Sequence, residues 1–238
     1  MFAVLRMLFV YVVLGVPAGL IGIPWSALRK DVSTIYGWGM NIMALGVKAA
    51  GIRVRVEGAE NIQPGVRYIF LSNHVSNLDA PVLLPAIPGR TSVFLKRELM
   101  KIPLLGTAFR MARYIPVSRG HSRAEAQRSV EAAADALNGG LHIMVFPEGT
   151  RSSDGSLLPF KKGAFFLAEE TGAPMIPVII SGTERMMPKG ALRIIPGEAY
   201  VRFLPAIRPQ DATSRDDLMQ RVRTVMEDEL ARRRAMNE

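Results

Sequence analysis

The sequence predicts an α/β fold: a single domain with a largely parallel central sheet flanked by helices, preceded by an N-terminal two-helix, membrane-associating segment. Three observations carry this expectation. After Gly51 short β-branched runs alternate with helical stretches, the pattern of strands joined by crossover helices. Before it, no charged residue occurs in the 22 positions from Met7 to Leu28, which as a helix would extend roughly 33 Å, about the hydrocarbon thickness of a bilayer. Two polar clusters, "SNHVSNLD" and "FPEGTRSSDG", each follow directly on a predicted strand, where open parallel sheets keep their ligand loops.

The first fifty residues are read as an anchor, 1–50, and the rest as the α/β domain, 51–238. Gly15, Gly19, Gly22, Pro17 and Pro24 interrupt the apolar stretch, so the expected helix is bent, either spanning the bilayer or dipping into one leaflet. A cleaved signal peptide fits less well, since only Arg6 precedes the apolar run and the small-residue cleavage pattern is poor. Arg29 and Lys30 directly after it predict that the following chain stays on the cytosolic side of the cytoplasmic membrane. Residues 31–50 place Ile35, Trp38, Ile42 and Leu45 at helical spacing and end at Gly51, a suitable C-cap.

Next, "IRVRVEG" alternates apolar and charged residues as a half-buried strand does. "VRYIFLS", "TSVFLK", "RYIPVS", "LHIMVF" and "APMIPVII" have the length and β-branching of buried strands. A helix over 122–137 opens on the capping box Ser122 to Glu125 and closes at Asn138-Gly139-Gly140. Another over 163–171 closes at Gly172, with Pro174 preventing continuation. A last helix, 214–234, gathers Leu218, Val222, Val225, Met226 and Leu230 on one face and basic residues on the other.

The charge balance, 30 Lys and Arg against 21 Asp and Glu, favours an anionic partner. Nucleic acid is not expected: the basic residues are dispersed among strand-end loops, and no recognition helix or stacking platform is apparent. The absence of cysteine excludes disulfides, thiolate nucleophiles and Cys-ligated metals. His121 and His142 fall in a helix lead-in and a strand, so no metal site is expected.

His74 and Asp79 lie five positions apart between a strand and the helix that Pro81 begins. In a tight turn the carboxylate can take the imidazole N–H and orient the ring as a general base. Ser76 and Asp79 also have capping-box spacing, so the same residues suit a helix start. In the second cluster Glu148, Gly149, Thr150 and Arg151 bring backbone N–H groups, a hydroxyl, a guanidinium and an acid together. This set suits a phosphate carrying a polyol, although a structural Glu–Arg turn has the same composition. Lys96, Arg119, Lys161 and Lys162 add cations near strand ends or a helix start.

"NHVSNLD" and "VFPEGTRS", about seventy residues apart, resemble the two signature blocks of the membrane glycerolipid acyltransferases, in particular the bacterial 1-acylglycerol-3-phosphate (lysophosphatidate) acyltransferases. "LKRELMKIPLLG" and "APMIPVIISG" resemble two further segments of that family. The resemblance implies transfer of an acyl group from coenzyme A or acyl carrier protein to the sn-2 hydroxyl of lysophosphatidate at an anionic membrane surface, with no metal or other cofactor. It implies His74 as base, Asp79 as its partner, Glu148, Gly149, Thr150, Arg151, Lys96 and Arg119 at the glycerol phosphate, and Pro177 in the wall near the acyl donor. Around Arg119 this chain reads "YIPVSR" and departs from the family's usual neighbours. Other acceptors thus stay open: glycerol 3-phosphate, a lyso-aminolipid or another lysophospholipid. A non-catalytic anionic-lipid-binding protein is the alternative of a different class.

Overall fold

The computed structural model describes residues 2–117 and 123–236. Two helices open the chain, α1 (Phe2–Arg29) and α2 (Ser33–Ala49). Seven strands follow, β1 (Ile52–Glu57), β2 (Ile69–Ser72), β3 (Thr91–Lys96), β4 (Ile115–Val117), β5 (His142–Val145), β6 (Met175–Ser181) and β7 (Gly197–Phe203). The remaining helices are α3 (Asp79–Leu83), α4 (Leu105–Met111), α5 (Arg123–Asn138), α6 (Gly163–Thr171), α7 (Thr183–Met186) and α8 (Arg215–Ala235). The capping serine expected for α5, Ser122, lies outside the described residues.

The sheet order is β1-β7-β6-β2-β5-β3-β4. β6, β2, β5, β3 and β4 are mutually parallel, whereas β7 pairs antiparallel with β6 and parallel with β1. The sheet is therefore largely parallel, with two reversed strands at one edge. β7 was not among the expected strands; Ala199, Val201 and Phe203 are buried at a spacing of two, but Tyr200 between the first two is buried as well.

Pro177 sits inside β6, where a missing N–H would ordinarily break a ladder. Its carbonyl accepts Leu204 N–H at 2.9 Å, just beyond the last β6–β7 pair, Val178–Phe203. The missing donor thus points past the paired part of β7, and the β2 ladder is intact.

Apolar side chains bury on both faces of the sheet. On one, α2 and α3 contribute Tyr36, Val47, Leu78 and Val82 against Phe70, Ile176 and Val178. On the other, α5, α6 and α8 contribute Ala136, Phe165 and Val222 against Leu71, Ile143 and Ile179. The helical hairpin belongs to the first face, and Tyr36 Oη accepts Thr91 N–H at 3.0 Å.

Despite Pro17 and Pro24, α1 is one continuous helix of 28 residues. A side chain at Gly22 would press on Ile35 and Trp38, and one at Gly46 would collide with Tyr11. These small residues let α1 and α2 approach closely. The outer side of α1 leaves Phe9, Val12, Leu20, Ile21 and Leu28 exposed.

Candidate active site

β2 is flanked by β6 and β5, and the chain leaves these strands toward opposite sides of the sheet. The loops after their carboxyl ends consequently enclose a crevice at the topological switch point. All three contribute. In the loop after β2, Asn73 extends the ladder with its side chain: Nδ2 donates to Ile180 O at 2.9 Å, and Oδ1 accepts Ile180 N–H at 2.8 Å. The next residue, His74, is thereby fixed at the strand end.

His74 Nδ1 lies 2.7 Å from Asp79 Oδ2. The carboxylate is wholly buried, and its Oδ2 also accepts Val75 N–H at 2.7 Å and Ser76 N–H at 2.8 Å. Oδ1 accepts the Thr183 hydroxyl at 2.6 Å. Surrounded by donors, Asp79 assigns the proton of the imidazole to Nδ1 and leaves Nε2 as acceptor. The ring is 22% exposed and stacks on Phe146 with centroids 4.0 Å apart. Nε2 therefore has access to a reactant while the ring plane is held.

The two uses foreseen for Asp79 coexist. Its carboxylate takes Ser76 N–H as a capping-box acid does. The reciprocal half differs: Ser76 Oγ accepts Leu78 N–H at 3.2 Å and donates to Met187 O at 2.8 Å. Helix α3 begins at Asp79, so Pro81 is its third residue and not its first.

The loop after β5 grips the same histidine by its backbone. Glu148 Oε1 accepts His74 N–H at 2.8 Å, Oε2 accepts Leu158 N–H at 2.9 Å, and Ser152 N–H donates to His74 O at 2.8 Å. Glu148 is buried, and this burial raises its pKa despite the two opposing N–H bonds. The two oxygens of Glu148, a residue expected at the glycerol phosphate, thus tie the His74 and Leu158 backbone segments together. Gly149 has φ of 68°, and the Lys161 side chain occupies the space a Cβ would need.

The other expected residues are differently placed. Thr150 is exposed and Arg151 half-buried. Among the described residues Arg151 Nη1 has no hydrogen-bond partner, while Lys189 Nζ donates to Arg151 O at 2.9 Å. Lys96 is exposed at the end of β3, 3.8 Å from Glu98. Arg119 lies outside the described residues. Pro177 is buried within β6 beside Leu71 of β2.

Residues 53–181 match the family described as acyltransferase. The chain belongs to the acyltransferase family. Over 191 residues it is 36% identical to a 1-acyl-sn-glycerol-3-phosphate acyltransferase of Limnanthes douglasii, covering 80% of this chain and 66% of the relative. Over 180 residues it is 36% identical to the human 1-acyl-sn-glycerol-3-phosphate acyltransferase alpha, covering 75% of this chain and 63% of that one. The chain thus spans slightly less than two thirds of these relatives' lengths. The crystal structure of the 1-acyl-sn-glycerophosphate (LPA) acyltransferase PlsC from Thermotoga maritima superposes with a TM-score of 0.78 at 28% identity, covering 97% of this chain and 96% of that one.

The matched range ends at Ser181, and two residues beyond it the Thr183 hydroxyl bonds Asp79. Thr183 was missed because nothing in the sequence distinguishes it from a helix-starting threonine. The available signal was a Gly-Thr step directly after a buried strand. Gly182 has φ of 89°, and a Cβ there would strike Glu198 O. This tight turn delivers the Thr183 hydroxyl to Asp79.

Proposed function

We propose that this acyltransferase makes phosphatidate by moving an acyl group from a thioester to the sn-2 hydroxyl of lysophosphatidate. The carrying observation is the 2.7 Å contact between His74 Nδ1 and Asp79, which leaves Nε2 as the free base. Nε2 takes the hydroxyl proton as the oxygen attacks the thioester carbonyl. The new ester C–O bond forms, the C–S bond breaks, and the imidazolium returns the proton to the departing thiolate. Asp79 stabilises that imidazolium and keeps its orientation. No metal or other cofactor enters this sequence.

Arg151, whose Nη1 lacks a partner among the described residues, binds the acceptor phosphate, with Lys161 beside Gly149, Lys96 at the end of β3, and Arg119. Glu148 acts on the acceptor indirectly, by fixing the His74 backbone. The acyl thioester is carried by coenzyme A or acyl carrier protein.

The exposed apolar side of α1 seats the enzyme in the cytoplasmic membrane, with Arg29 and Lys30 at the cytosolic surface. A membrane-held base beside a cytosolic domain serves a lipid acceptor and a water-soluble donor at once. The names of the curated relatives and of the T. maritima structure support this choice of acceptor.

Purified protein in detergent, supplied with labelled acyl-CoA and a panel of acceptors, tests the reading. Phosphatidate should form from lysophosphatidate, and His74→Ala should lower the rate by roughly 10²- to 10⁴-fold. Transfer to glycerol 3-phosphate or another lysolipid, with none to lysophosphatidate, would replace the proposed acceptor.

A further inference from the structure

A cavity borders the dyad loop. About 250 Å³ in volume, it is lined by Asn73 and Val75, by Arg185 of α7, and by Leu230, Arg233 and Arg234 of α8. Arg234 Nη2 donates to Gly155 O at 2.8 Å, and the Arg233 guanidinium lies 4.0 Å over the Tyr200 ring. Arg185 Nε is 3.8 Å from Glu184. Of the two carboxylates on the wall, Asp154 is engaged by the hydroxyls of Ser152 at 2.8 Å and Ser156 at 2.6 Å. Three arginines from two helices thus line a cavity that also reaches Asn73 and Val75, the chain neighbours of His74, and that includes none of the residues expected to hold the acceptor.

The position decides which substrate suits it. The His74 ring stacks on Phe146, and Asp79 opens α3, both packed with the hairpin's face of the sheet. The cavity is walled by α8, which packs on the opposite face, and by α7, whose Met186 packs on the hairpin's face. In lysophosphatidate only a few bonds separate the sn-2 hydroxyl from the phosphate, so the phosphate must stay on the ring's side of the loop. A phosphopantetheine arm is long and flexible, and it arrives from water. Its anionic end needs anchoring away from the reacting carbon.

We propose that the cavity between α7 and the end of α8 binds the phosphate groups of the acyl donor's carrier arm. This rests on the thioester-dependent reading above. Coenzyme A and acyl carrier protein share the phosphopantetheine phosphate, and coenzyme A adds further phosphates at the same end. Arg185 and Arg234 supply charge-assisted hydrogen bonds, while Arg233, fixed over Tyr200, supplies a positioned charge.

Binding of coenzyme A alone to the full chain in detergent micelles tests the site without any acceptor. Arg185→Glu and Arg185→Glu with Arg234→Gln should weaken coenzyme A binding by about tenfold and a hundredfold respectively. In turnover they should raise KM for acyl-CoA strongly, raise KM for acyl carrier protein thioester less, and leave KM for lysophosphatidate unchanged. Arg185 is an exposed surface residue, so its single variant keeps the test independent of folding.

Equal binding of coenzyme A and of phosphopantetheinyl carrier protein by wild type and both variants would overturn the assignment. So would a raised KM for lysophosphatidate with the donor KM unchanged, which would make this the headgroup site. If wild type binds coenzyme A, the variants do not, and acyl transfer goes to a different acceptor, the carrier site stands and only the acceptor assignment fails.

Discussion

The hydroxyl of Thr183 donates to Asp79 Oδ1 at 2.6 Å, joining residues 104 positions apart in the sequence. It connects the loop after β6 to the carboxylate that orients His74. Both partners are fully buried, so neither water nor another side chain can replace the bond without rearrangement. Thr183→Val keeps the shape and removes the donor. We expect kcat/KM to fall about ten- to a hundredfold, with Thr183→Ser retaining most activity. Equal loss of activity in Thr183→Val and Thr183→Ser, matched by equal loss of stability, would assign Thr183 to folding alone.

Glu148 offers a sharper division between binding and positioning. Its two oxygens hold the N–H groups of His74 and Leu158, and Gln can accept only one of these bonds well. Displacing a base by about 1 Å costs roughly a hundredfold in rate. Glu148→Gln should therefore lower kcat by about that factor and leave KM for lysophosphatidate near wild type. A rise in KM at constant kcat would restore the acid to the substrate's hydroxyl.

Most of the fold was legible because its signals are local. Alternation in "IRVRVE", β-branching in "MIPVIIS" and the glycine stop at Gly172 act within a few residues. β7 escaped because the coil from Pro188 to Pro196 precedes it, buried Tyr200 interrupts its alternation, and its partner β1 is remote in sequence. The dyad was legible from spacing and motif together. The contacts of Glu148 and Thr183 were not, because a polar side chain in a turn looks the same whether it meets a substrate or the protein's own groups. Only the fold decides, by burying Glu148 against the His74 strand end.

The hairpin's outer face carries a prediction about attachment. Leu20 and Ile21 are 59% and 63% exposed, so replacing them leaves the packing of α1 against α2 intact. Aspartate at mid-membrane depth costs about 3 kcal/mol per residue. Leu20→Asp with Ile21→Asp should shift the protein from floating vesicles toward the soluble fraction in a flotation assay. Activity on detergent-dispersed substrate should persist, since neither residue touches the dyad. Unchanged flotation would place the membrane contact elsewhere.

His142 links the core to pH. Its ring is buried in β5, stacked on Tyr68 and edge-on to Phe70, and Nδ1 accepts Tyr68 N–H at 3.1 Å. Burial, reinforced by the Arg67 charge, lowers its pKa from 6.5 to about 4. The folded state therefore prefers the neutral ring more than the unfolded chain does. Its contribution is present above the unfolded pKa of about 6.5 and declines as pH falls through the folded value, because the unfolded chain takes up the proton first. The loss should be on the order of 2 kcal/mol between pH 7 and pH 4. His142→Gln is uncharged throughout and removes this dependence, although the exchange lowers stability at pH 7 through lost ring packing. Unfolding midpoints measured across that window should converge for wild type and variant as pH falls; parallel curves would show that His142 does not titrate on unfolding.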